Sequence, residues 1–163
     1  MKKQIFVFLS TVIFLIISSC KKDNSSGAFG SWALNSTTLP ASVLYTKVLG
    51  APGTLVVSNS SVAPNSNSVG DLNLIFYDTL PSISGTYTVI ADSSTLIAPG
   101  QVQIWTALNN AASGFYASTG IGNSQTIQVA ISDGKMSISG SQINMTGSPR
   151  NNGIGTLSFN IHN

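Results

Sequence analysis

Glutamate is absent from this chain, cysteine and histidine each occur once, and charged residues make up only 7% of its 163 positions. An ordinary soluble domain carries about 25%. Each shortage excludes a class of chemistry. One cysteine cannot build a disulfide framework, which needs pairs. A zinc centre needs three or four Cys, His or carboxylate ligands, and Cys20, His162 and a few scattered Asp residues do not supply them. Nucleic-acid binding needs clustered Lys and Arg to neutralise phosphates. Lys2, Lys3, Lys21 and Lys22 all precede position 23 and leave the rest of the chain nearly bare of positive charge. The length allows one domain and little more.

Long apolar runs are equally scarce, and the longest lies at the start. Met1–Lys3 is a short basic head, and the apolar stretch Ile5–Ile17 follows it. About thirteen residues make roughly 20 Å of helix, too short for a bilayer core of about 30 Å. A positive head, a short apolar run and small residues after it mark a secretory signal. Ile17-Ser18-Ser19-Cys20 resembles the lipobox of bacterial lipoproteins. Small side chains let a peptidase reach the bond before Cys20, and the thiol is the nucleophile that carries a thioether-linked lipid. The expected organisation is a cleaved signal over 1–19, lipidated Cys20 with a flexible tether over 20–29, and a single β-domain over 30–163. Acyl chains such as palmitate, at about 0.8 kcal/mol per buried methylene, would hold the chain on a membrane. Lys21 stands where Asp would resemble an inner-membrane retention signal, so the expected place is the bacterial outer membrane. The domain would face either the periplasm or the cell surface. Removing 19 of 163 residues leaves 144, in which Lys21, Lys22, Lys47, Lys135 and Arg150 balance five Asp. The apparent basicity belongs to the signal.

Ser, Thr and Asn fill about a third of the mature chain, yet β-branched and aromatic residues interleave with them, which disordered segments lack. Leu72, Leu74 and Phe76 share one face of Asp71–Tyr77. Ile127, Val129 and Ile131 alternate with Thr126, Gln128 and Ala130, Met136 and Ile138 with Ser137 and Ser139, and Leu157, Phe159 and Ile161 with Thr156, Ser158 and Asn160. Period two, apolar inward and polar outward, is the mark of antiparallel strands wetted on one face. Asp133-Gly134 is the strongest hairpin signal. Pro81, Gly85, Ala98-Pro99-Gly100, Asn109–Ser113 and Asn151-Asn152-Gly153 punctuate the rest, and 58–70 is the longest loop. The expected fold is all-β: an antiparallel β-sandwich or flattened β-barrel of about 9–11 short strands. Its expected core is Leu34, Leu55, Val57, Leu72, Leu74, Phe76, Ile90, Ile104, Ile127, Val129, Ile138, Leu157 and Phe159. One domain of this size buries about 68% of its unfolded surface, enough for an independent core. Low charge leaves the sheet edges little protection, which closure into a barrel would remove.

The order Trp32-x-Leu34, Leu72-x-Leu74-x-Phe76, Ser84-Gly-Thr-Tyr-Thr-Val89, Phe115-Tyr116, Thr126–Ile131 and Gly134-Lys-Met-Ser-Ile138 is similar to small lipoproteins of the Bacteroidota with one β-rich domain of uncharacterised function. Cys20-Lys-Lys-Asp23 looks like the mature start of many of them. The resemblance covers most of 30–160. It implies a surface or periplasmic β-domain and carries over no catalytic residue, because fold likeness does not supply function.

The residues themselves suggest a binder. Paired carboxylates for hydrolysis need an opposed cleft, whereas Asp71, Asp78 and Asp92 fall at strand ends, where Asp turns backbone. Asp133 belongs to the hairpin. His162 lies at a fraying terminus, a poor place for a catalytic base. Asp71 and Asn73 do not make a calcium cage, and Gly120-Ile-Gly122 lies between strands and cannot cradle phosphate in the usual way. No enzyme, metal or cofactor is expected. Trp105, Tyr116, Tyr77 and Tyr87 are the candidate ligand-binding residues: outward aromatics among hydroxyls and amides suit sugar rings. Asp78-Thr79-Leu80 resembles an O-glycosylation acceptor of the Bacteroidota, with Thr79 as the attachment point. The expected role is a lipid-anchored, non-enzymatic envelope protein touching the membrane through Cys20 and a glycan or envelope protein through its domain. The alternatives are a glycan-binding module and a lipocalin-like carrier of a small apolar ligand.

Overall fold

The computed structural model describes residues 27–46, 50–60, 70–91, 97–107, 115–118, 125–147 and 153–163. Cys20, Asp92 and most of the 58–70 loop lie outside these residues. The described chain is all-β: β1 (Gly30–Leu34), β2 (Thr37–Pro40), β3 (Val43–Tyr45), β4 (Thr54–Ser58), β5 (Asp71–Phe76), β6 (Gly85–Ile90), β7 (Gln101–Ala107), β8 (Phe115–Ser118), β9 (Thr126–Ser132), β10 (Lys135–Gly147) and β11 (Ile154–His162). All belong to one sheet that curls into a half-barrel. Its order is β2-β1-β11-β10-β9-β6-β7-β5-β4-β3, with β8 between β10 and β7.

The turns follow from local chemistry. Asp133 and Gly134 take φ of 52° and 73°, the double positive φ of a two-residue hairpin loop whose twist matches its strands. Asn35, at φ 54°, turns β1 into β2 and accepts a hydrogen bond from the Thr156 N–H through its side chain at 2.9 Å. The Ser84-Gly-Thr-Tyr motif starts β6. The Ser84 hydroxyl accepts from the Ile131 N–H at 2.8 Å and so ties the open end of β6 to β9. Asn59 and Gly70 close the base of the long loop: each N–H is bonded to the other residue, at 3.1 and 2.9 Å.

Core packing follows the period-two pattern with one slip. Leu34, Leu55, Val57, Leu72, Leu74, Phe76, Ile104, Ile127, Val129, Ile138, Leu157 and Phe159 are buried in one cluster, joined by Trp32, Val89, Val102, Met136, Ile143, Met145 and Ile161. Ile90 is not among them. β6 is phased by its neighbour: Tyr87 stands opposite Ile127, so Tyr87 and Val89 face the core and Ile90 faces away. Backbone pairing also extends ahead of β1. Gly27 and Gly30 bridge each other, and the Phe29 N–H donates to the Ala41 carbonyl at 2.9 Å.

Two irregularities shape the sheet. β6 and β7 pair in parallel over Thr88–Ile90 and Gln101–Gln103, the single departure from antiparallel pairing among the described strands. From Trp105 onward β7 pairs instead with β8, which leaves a fork at Ile104. Ser118 fills it. Its hydroxyl accepts from the Ile104 N–H at 3.1 Å and donates to the Ile90 carbonyl at 2.6 Å, with Ser118 itself buried. Ser118→Ala strands both backbone groups, and unsatisfied buried polar groups cost about 1–3 kcal/mol each. We therefore expect urea unfolding to report a loss of about 2 kcal/mol. A change within measurement error would show that the fork is satisfied some other way.

The second irregularity is a bulge in β10 between Gly140 and Ile143, with Gln142 at φ 53°. A Cβ on Gly140 would lie 2.7–2.8 Å from the Ile143 and Phe159 side chains, so these fill the space a larger residue would take. The displaced backbone groups find side-chain partners. The Gln142 N–H donates to the Ser158 hydroxyl at 3.1 Å, and the Asn144 N–H donates to Gln125 Oε1 at 3.1 Å.

Candidate functional site

The two faces of β4, β5 and β7 differ in kind. Inward lie Leu55, Val57, Leu72, Leu74, Phe76, Val102 and Ile104. Outward lie the buried polar residues Thr54, Ser58, Asn73 and Gln103 among half-buried Val56, Ile75 and Trp105, whereas Thr126, Gln128 and Ala130 on the outer face of β9 are exposed. Register places Ser58 opposite Asp71, and Val56 opposite Asn73, which in turn stands opposite Trp105. Cross-strand partners share a face with their Cβ atoms about 5 Å apart. This outer face is the candidate site.

Its polar groups are only partly satisfied. Gln103 Nε2 donates to the Ala91 carbonyl at 3.3 Å, while Thr106, on the inner face opposite Leu72, donates its hydroxyl to the Asp71 carbonyl at 2.7 Å. Asn73 Nδ2 and Asp71 Oδ1 are buried atoms with no hydrogen-bond partner. Burial pushes the Asp71 carboxyl up from its ordinary 3.8, and a hydrogen bond with Ser58 pulls it partly back. The folded chain therefore holds this proton more tightly than the unfolded chain. The contribution to stability is complete below 3.8 and is lost as pH rises through the raised value. Asp71→Asn removes that loss. In thermal melts from pH 3 to 7, the variant should show a flatter acid-side slope than the wild type and a higher midpoint at pH 7. A parallel pair of curves would contradict this assignment.

The sequence-expected residues separate. Trp105 lies on the candidate face, partly exposed, opposite Asn73. Tyr77, 45% exposed, leaves the end of β5, four residues from Asn73 and so about 13 Å along the chain. Tyr87 does not point outward as expected. Its ring meets Phe76 edge-on at 5.3 Å and 83°, because β6 is phased by Ile127. Tyr116 stands opposite Thr106 in the β7–β8 pair, and its side chain lies outside the described residues. Thr79 is exposed in the turn after β5, its N–H bonded to the Tyr77 carbonyl at 2.6 Å. Asp78 and Asp133 occupy turns at positive φ and are exposed. His162 is exposed at the end of β11.

Two members of the face are not among the ligand-binding residues expected from the sequence. Tyr45 ends β3 with 41% exposure and stands opposite Val56. Asn73 is visible as an outward residue in Asp71-Leu-Asn-Leu, but strand pairing is what brings it beside Trp105. Among the described residues, no three His, Cys, Asp or Glu side chains gather as a metal site, and no helix is long and apolar enough to cross a membrane. No protein-family model, curated protein or solved structure matches the chain.

Proposed function

We propose that this chain is a lipid-anchored, non-enzymatic binding domain of the bacterial outer membrane, tethered through Cys20 and built on a flattened, closed β-barrel. The observation that carries the binding role is the buried polar outer face of β4, β5 and β7, with Asn73 at 3% exposure and its amide nitrogen unpaired. A buried donor without a partner costs stability and calls for explanation. A ligand that completes it is the physical explanation favoured here. The anchor rests on Ile17-Ser-Ser-Cys20 behind a short apolar run.

Barrel closure is supported by the ends of the sheet. β2 and β3 terminate it on opposite sides, yet only Ala41 and Ser42 separate them. The Ala41 N–H donates to the Gly30 carbonyl and the Ser42 N–H to the Ser58 carbonyl, both at 2.9 Å. One ribbon over 37–45 thus bonds to β1 on one side and β4 on the other. The interior contains fully buried Trp32, Leu34, Leu55, Leu72, Ile104 and Met145 in a single cluster. That filling favours a binder that uses its outside over a carrier with an apolar lumen.

The anchor is tested by detergent partition of the full chain. The wild type should enter the detergent phase and Cys20→Ala the aqueous phase; an unchanged partition of the variant would overturn it. The binding role is tested by hydrogen exchange of the mature domain in the presence of envelope extract. Slowed exchange in β4, β5 and β7, with β9–β11 unchanged, is the expected result. Extract that alters no amide removes the role.

A further inference from the structure

We infer that the outer row Tyr45–Val56–Asn73–Trp105, with Asp71 beside it, is a saccharide-binding cleft spanning more than one sugar ring. The inference rests on the binding-domain reading and names its ligand class. The row is read from register: Tyr45 faces Val56, Val56 faces Asn73, and Asn73 faces Trp105. Three strand spacings separate the two aromatics, about 14 Å. Tyr45 is exposed and Val56, Asp71 and Trp105 keep part of their surface in solvent, so the rim of the row meets solvent while the Asn73 amide nitrogen and Asp71 Oδ1 lie just beneath it.

The ligand class follows from the unpaired atoms. Asn73 Nδ2 is a donor without an acceptor, and Asp71 Oδ1 is an acceptor without a donor. They sit two residues apart on one face of β5, about 7 Å in backbone separation. A cation would be repelled by the amide donor. An anion would meet the carboxylate, with no Lys or Arg on β3, β4, β5 or β7 to offset it. Hydroxyl groups satisfy both atoms, since each can donate and accept. One hydroxyl donates to Asp71 Oδ1, and a neighbouring one accepts from Asn73 Nδ2. The apolar CH faces of sugar rings then lie on the flanking aromatics, which supply large contact area at small entropic cost. Asp71 fits this role energetically as well. A partly buried carboxylate lacking one partner is destabilising in the free protein, and binding residues are commonly kept at such a cost.

The test uses the mature domain, a glycan array and intrinsic fluorescence. Trp105→Phe identifies the responding indole, because Trp32 is buried at 1% exposure and should not report. Saccharides that hit the array should shift the wild-type emission. Asn73→Leu and Tyr45→Ala should each weaken binding by about tenfold or more while the thermal midpoint is kept. An array without hits, or full binding by Asn73→Leu, overturns the cleft. Periodate, which cleaves vicinal diols, separates this failure from that of the binding role. Envelope extract that still protects β4, β5 and β7 after periodate leaves a binding domain whose ligand is not a sugar. Protection abolished by periodate supports the cleft.

Discussion

Replacing Gly30 with alanine should lower the stability of the domain by about 4 kcal/mol, the largest effect of any single methyl group described here. Gly30 sits at φ 103°, outside the range L side chains adopt. The added Cβ would collide with the Asn160 carbonyl oxygen, which is backbone and cannot rotate away. Backbone strain of this kind costs about 1–3 kcal/mol, and forced overpacking about 1–3 kcal/mol more. The surroundings cannot yield easily. Gly30 pairs with Ile161 in the β1–β11 ladder, its carbonyl accepts from the Gly27 and Ala41 N–H groups, and it lies where the chain returns from β2. A loss of that size shifts the thermal midpoint by roughly 10 °C in a domain of this length. Gly100→Ala is the control: it shares a positive φ, 79°, but nothing lies within 4 Å of the added methyl. It should cost about 1 kcal/mol. Equal losses in the two variants would show that steric collision with β11 is not the cause.

Trp32→Ala should cost about 3–5 kcal/mol, the range for emptying a buried aromatic site. Trp32 is 1% exposed, stands opposite Phe159 on β11 and Leu39 on β2, and its ring edge comes close to Gly70 at the start of the β4–β5 side. The indole therefore reaches between the two ends of the curled sheet, and no neighbour can collapse into its place without moving a strand. Its Nε1 is buried without a partner, so part of what the ring contributes is offset by an unmet donor. Trp32→Phe separates the two effects, keeping most apolar contact while deleting the stranded N–H. Denaturant melts should place Phe within about 1.5 kcal/mol of the wild type and Ala far below it. An alanine variant as stable as the phenylalanine variant would remove Trp32 as the interior anchor.

Asn73 shows where legibility in the sequence ends. Alternation of Leu72, Leu74 and Phe76 places Asn73 outward, and nothing local says that the outward side of β5 is buried. Flanking strands alone do not bury it either, since outward Gln128 on β9 is flanked by β6 and β10 and is exposed, so the burial of Asn73 is a property of the whole fold. Tyr87 illustrates the opposite error. Its own neighbours permit either phase, and Ile127 on β9, forty residues away, selects the inward one. Ser118 is likewise an ordinary serine in sequence and a buried joint in the fold. Asp133-Gly134 acts within a few residues of itself and could be read directly, whereas Ser84 bonds to Ile131, 47 residues on.

The all-β class, the Asp133-Gly134 turn, the apolar side of nearly every strand and the scarcity of titratable groups are legible in the residues alone. These are local quantities: side-chain period, backbone preference at Gly, Asn and Asp, and the count of titratable groups. Long-range pairing sets the rest: β2 and β3 end the sheet from neighbouring positions in the chain, β7 forks between β6 and β8, and Tyr45, Asn73 and Trp105 share a row. Those depend on which strands lie side by side. Period two identifies a strand's faces, but every half-polar strand offers the same backbone hydrogen bonds. Packing the whole core selects among the partners.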